Sequence, residues 1–212
     1  MNWALLSAAE ASAARWRALG LDVPGPPPAD ARGRTALHEA AHAVARYLLG
    51  GQVARVTATA HGGFMEPVAA AVTDDVDAAI ASLDAHGPQE RERQLLLWLH
   101  ELLAGPAAEA LVDARADWDG EKDREALACV RELYPRALGG VPLSWHFTRT
   151  MRLLARPRVW HALRTLAGLV VLCPELTGER VHAVLDAGIG DLRGRWVPRA
   201  LGDGEQDQTW LE

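Results

Sequence analysis

"TALHEAAHAVARYLLGG", residues Thr35 to Gly51, sets His38 and His42 four apart, with Glu39 directly after the first. Side chains four apart on a helix share one face, about 5–6 Å apart at Cβ. The two imidazoles can therefore hold one tetrahedral ion such as zinc. Glu39, at the neighbouring position, reaches a water beside the metal rather than the metal itself. Leu37, Ala41, Val44 and Leu48 follow the spacing of a core face that adjoins the histidine face. The same letters also fit an Ala-rich helix with two surface or core histidines. A motif this short is decided by its context.

Upstream, an amphipathic helix over roughly Trp3 to Leu19 accounts for residues 1–22. "VPGPPPADARGR" cannot stay helical through its prolines, so residues 23–34 read as a Pro-rich linker. Downstream, Gly50 and Gly51 stop the first motif's helix. β-Branched "VARVTATA", Val53 to Ala60, predicts a strand, and "FMEPVAAAVT" a returning one whose Pro67 belongs on an edge. "DDVDAAIASLDAHG" reads as a short helix or loop. "PQERERQLLLWLHELLAGPAAEALVDA" predicts a long helix opened by Pro88 and bent at Gly105-Pro106. "EKDREALACVRELYP" predicts another, and further helices follow over Trp145 to Leu154 and Arg158 to Leu172. "TGERVHAVLDAG" opens with Thr177 as cap but has Arg180 where a capping box needs Glu. Residues 35–189 thus form one domain, and 190–212 a polar, Gly-rich tail expected to be poorly ordered.

With 49% hydrophobic and 24% charged residues, the composition is that of a globular, water-soluble chain. The net charge of -6 argues against a phosphate-binding surface, hence against a nucleic-acid partner. The first segment lacks a basic n-region, and Glu10, Arg15 and Arg17 interrupt it, which argues against a signal peptide. The apolar run Leu166 to Cys173 is too short to span a bilayer. Cys129 and Cys173 make no disulfide framework, so a cytoplasmic location is the expectation.

Other acidic residues bear on a metal. Asp123 runs in phase with Leu127, Val130 and Tyr134, on a core-facing stripe where a carboxylate needs a partner. It also fits a plain helix N-terminal carboxylate favoured by the dipole. Asp117 and Asp119 lie in a loop with no stripe to turn them inward, and Asp119 equally fits a helix cap. Glu109 is in phase with Leu95, Leu99 and Leu102, which suits either a site residue or a core-rim ion pair.

"HEAAHAVA", "VARVTATA", "LLAGPAAEALV", the Asp-bearing helix and "WHALRTLAGLVVLCPELTGERVHAVLDAG" together resemble the peptidase domain of FtsH-type zinc metalloproteases. The likeness covers roughly residues 34–188, with gaps. Ala41 stands where that family has Gly, Pro106 where it has Arg, and "ADWDGEKD" where it has "TTGASND". The sequence contains no G-x-x-x-x-G-K-[ST] phosphate loop, so the resemblance is to the peptidase part alone. It implies a mainly α, zincin-like, FtsH-type peptidase domain, helical with a small β-sheet or hairpin. It also implies zinc held by His38, His42 and Asp123, with Glu39 as general base and Glu109 supporting a zinc-bound histidine. The expected activity is ATP-independent hydrolysis of peptides or unfolded proteins. The strand Val53 to Ala60 is the expected edge for an extended peptide. A homo-oligomer or a separate ATPase is the partner such a domain would take. An inactive metal-binding pseudo-peptidase, serving as an interaction scaffold, is the alternative.

Overall fold

The computed structural model describes residues 30–68, 88–113 and 143–196. The readings of residues 1–29, of "DDVDAAIASLDAHG", of the helix bearing Asp123 and Cys129, and of residues 197–212 fall outside them. The described chain is mainly helical, with a three-stranded antiparallel sheet.

Helix α1 spans Ala31–Leu48, so it begins one turn before the expected start at Thr35. Asp30 explains the early start: its side chain accepts from the Gly33 N–H at 2.6 Å, and no proline lies between Pro28 and the end of the helix. At the far end the Gly50 N–H donates to the Tyr47 carbonyl and the Gly51 N–H to the Arg46 carbonyl, both at 2.9 Å. Gly50 has φ of 87°, the left-handed turn that stops a helix in this way. Every residue from Glu39 to Leu48 is buried, so α1 has no solvent face over that length. It is the central helix of the fold rather than an amphipathic one.

Strand β1, Val53–Thr59, follows where expected, and β2 is Gly62–Pro67, starting before the Phe64 expected to open it. Helix α2 spans Pro88–Val112 and continues as helix through Pro106. Its stretch Arg93–Val112 is long and apolar enough to cross a bilayer, but 78% of it is buried inside the protein. Helices α3, Leu143–Leu154, and α4, Pro157–Leu172, match their expected spans to within two residues. A short strand β3, Glu175–Thr177, precedes α5, Gly178–Ile189. Thr177 occupies the N-cap position with extended backbone, but its side chain makes no capping bond.

The strand order is β2-β1-β3, so β1 is the central strand. This corrects the expectation that Val53 to Ala60 forms an edge. β3 pairs Arg55 with Thr177, Val56 with Leu176 and Thr57 with Glu175, occupying the side where a peptide was to add. Pro67 does lie on an edge strand, β2, where its missing N–H breaks no ladder among the described residues.

Helix α1 packs against α2, α4 and the first two strands, and α3 packs against α2. Small residues set the spacing: Ala36, Ala40, Ala43, Ala104, Ala107 and Ala108 are all 0% exposed. The chain after Gly190 is also ordered further than expected. A 3-10 turn, Gly190–Leu192, buries Leu192, and the Trp196 N–H donates to the Leu48 carbonyl at 3.3 Å. Among the described residues the apolar side chains of Leu192 and Trp196 dock this segment on the core.

Candidate metal centre

The close approach of α1 and α2 builds the site. The His38 Nδ1 lies 2.7 Å from Glu109 Oε1, with the histidine side chain 16% exposed. The His42 Nδ1 lies 2.7 Å from the backbone carbonyl oxygen of Glu101. Carbonyls and carboxylates accept only, so each ring carries a proton on Nδ1, which in the neutral ring leaves the lone pair on Nε2. The two ring centroids are 4.7 Å apart at 70°. Two imidazoles held by Nδ1–H bonds, with Nε2 as the ligating nitrogen, are the ordinary arrangement behind a bound transition metal.

Gly105 allows this approach. A Cβ there would press on the Nε2 edge of His38, closest to Nε2 itself and 2.6 Å from Cδ2 and Cε1, inside any real contact distance. Pro106, the next residue, has no N–H, which leaves the Leu102 carbonyl without its helical donor. The preceding carbonyl, that of Glu101, is the one that holds His42.

Glu39 is 8% exposed and runs beneath β2, where a Cβ on Gly63 would come within 2.8 Å of its Cγ. Glu39 is thus a buried carboxylate on the histidine helix, covered by the hairpin. Glu101 adds a half-buried carboxylate bound by the Arg46 Nη1 at 3.0 and 3.2 Å. Burial pushes the Glu101 carboxyl up, and the charge of Arg46 opposes that rise.

The structure thus brings together His38, Glu109, His42 and, on the same helix, Glu39. Asp123, Asp117 and Asp119 lie outside the described residues. Among the described residues no group of three His, Cys, Asp or Glu side chains is placed to hold a metal. They do include the two imidazoles of His38 and His42, each held at Nδ1 by an oxygen acceptor, which is how a histidine is oriented when its Nε2 takes a metal. Glu101, Arg46, Gly105 and Gly63 were not singled out as site residues in the sequence. Arg46 and Gly105 carried some signal, the first at i+4 from His42 and the second in a Gly-Pro pair read only as a bend.

The other histidines sort differently. His61 is exposed in the hairpin turn. His182 Nε2 accepts from the Val53 N–H at 3.1 Å. His100 and His146 are 0% and 1% exposed and bonded to each other, His146 Nδ1 lying 3.3 Å from His100 Nε2. No family model matches the chain, and no curated protein matches it.

Proposed function

We propose that this chain is a zinc-dependent endopeptidase with a zincin-like, FtsH-type peptidase domain, acting without ATP in the cytoplasm on peptides or unfolded proteins. The observation that carries the reading is the pair of Nδ1 contacts, Glu109 to His38 and the Glu101 carbonyl to His42, each at 2.7 Å. A helix with two incidental histidines has no need to fix both rings in the same tautomer.

His38 and His42 would hold the zinc through Nε2, with Asp123 as third ligand by its place in the resemblance. When bound, zinc supplies Lewis acidity toward a peptide carbonyl and toward water. Glu39 takes the proton that the attacking water loses as its oxygen joins the carbonyl carbon. It then gives that proton to the nitrogen as the C–N bond breaks. Glu109 and the Glu101 carbonyl keep both rings oriented throughout. An extended substrate would add at the outer edge of β2, the strand that passes Glu39 at Gly63. A homo-oligomer or a separate ATPase would deliver folded substrates, which a chain lacking a phosphate loop cannot unfold.

The test combines zinc content with digestion of casein and a peptide library, with and without ATP, for the wild type and Glu39→Gln. The wild type should carry zinc and cleave equally well without ATP. Glu39→Gln should keep its zinc and lose about 10²–10⁴-fold in rate, the usual contribution of a general base. Zinc without hydrolysis in the wild type would leave the pseudo-peptidase scaffold as the reading. Activity surviving in Glu39→Gln would remove the assigned base.

A further inference from the structure

Arg46 lies one helical turn after His42, on the same face of α1, and is 9% exposed. Its Nη1 donates to both carboxylate oxygens of Glu101, at 3.0 and 3.2 Å, and its Nε donates to the Gln52 carbonyl at 2.8 Å. Gly51 leaves room for it: a Cβ there would stand 2.7 Å from Arg46 Cγ. Glu101 is therefore bound twice to one face of α1, through its carboxylate to Arg46 and through its own carbonyl to His42.

We infer that Arg46 and Glu101 are positioning residues that set the tautomer and orientation of His42 by locking the register of α2 on α1. A turn of α2 by one residue rotates its side chains about 100° and withdraws both contacts together. The charged contact is the stronger of the two, and so holds the weaker in place. Nor does such a pair have to be present for stability, since well-packed apolar residues replace buried ion pairs at little cost. The N–H that Arg46 spends on the Gln52 carbonyl extends the lock to the entry of β1, so helix, helix and sheet meet at one guanidinium.

The consequence for metal affinity rests on the zinc-site reading, whereas the tautomer can be read in the metal-free chain. The experiment records the His42 imidazole nitrogens by long-range ¹H–¹⁵N NMR in metal-free protein. It compares wild type, Glu101→Gln and the double variant Arg46→Met/Glu101→Leu. The apolar double variant keeps the space filled should a single change fail to fold. Zinc affinity is measured on the same samples by chelator competition. The wild type should show His42 protonated at Nδ1 alone. Both variants should show a mixture with the Nε2-protonated form, and a zinc affinity weaker by about 10- to 100-fold, as for other groups that orient a ligand. His42 remaining wholly Nδ1-protonated in the folded double variant would overturn the inference. A wild type that takes up no zinc would sink the metal reading instead, and the tautomer comparison would still decide this one.

Discussion

His38 and His42 are oriented by acceptors of different chemistry, and the two should respond differently to substitution. The acceptor for His38 is a side chain, Glu109, 28% exposed, that mutation can remove. The acceptor for His42 is a backbone carbonyl that no point mutation deletes. Glu109→Ala should therefore keep zinc with an affinity about 10- to 100-fold weaker, the usual cost of losing a group behind a ligand. Asp123→Ala, which would remove a ligand itself, should be purified without zinc. Metal content and chelator competition on the two variants check the ranking. The reverse order would move the third ligand to Glu109. The phase of Glu109 with Leu95, Leu99 and Leu102 was legible in the sequence, but phase alone did not tell a histidine partner from a core-rim ion pair.

At the scale of elements, α1 and α2 approach closely enough that a ring on one touches the backbone of the other. Gly105→Ala tests this contact because two effects with opposite signs compete. Alanine is the better helix former by roughly 1 kcal/mol. Its methyl group, however, would lie 2.6 Å from His38 Cδ2 and Cε1 and must displace the ring or the helix. Overpacking of this kind costs about 1–3 kcal/mol, so the clash should win. The variant should be destabilised in urea and should lose zinc, and a more stable variant with full zinc would refute the contact. Sequence reading took Gly105-Pro106 as a bend, because Gly-Pro is a helix breaker by local chemistry. That the glycine makes room for a histidine 67 positions earlier is a fact of packing.

At the scale of the molecule, a buried polar cluster joins α2 to α3. His100 Nδ1 lies 2.8 Å from Thr150 Oγ1, which donates to the His146 carbonyl at 3.0 Å, and Trp196 packs edge-on against His100. The hydroxyl proton is committed to that carbonyl, so His100 donates from Nδ1 and accepts at Nε2 from His146. His146 Nε2 is left buried with no partner. Burial, the neighbouring imidazole and then Arg149 hold His100 well below the usual histidine range. Burial and then Arg149 bring His146 down to about 4. Once unfolded, both take protons near the ordinary value of about 6.5. The unfolded chain thus binds more protons below that pH, and stability must fall as pH falls from about 6.5 toward the His146 value. Urea midpoints at pH 7 and pH 5 should show the loss, and His146→Phe should flatten it. An unchanged midpoint in the wild type would mean the cluster is open to water.

What the sequence determined by itself was local. The 3.6-residue period put His38 and His42 on one face, β-branched residues wrote β1, and prolines and capping chemistry marked most helix ends. Its local signals missed the start of α1 by a turn and did not register β3, three residues long beside a capping threonine. Only the tertiary structure decided that β1 is central, because the partner that makes it so lies more than a hundred residues away. The same holds for the acceptor of His42. Every residue carries a carbonyl, so no residue type announces which one a histidine will meet. That choice belongs to the register of two helices, set by small side chains, one glycine and one buried guanidinium.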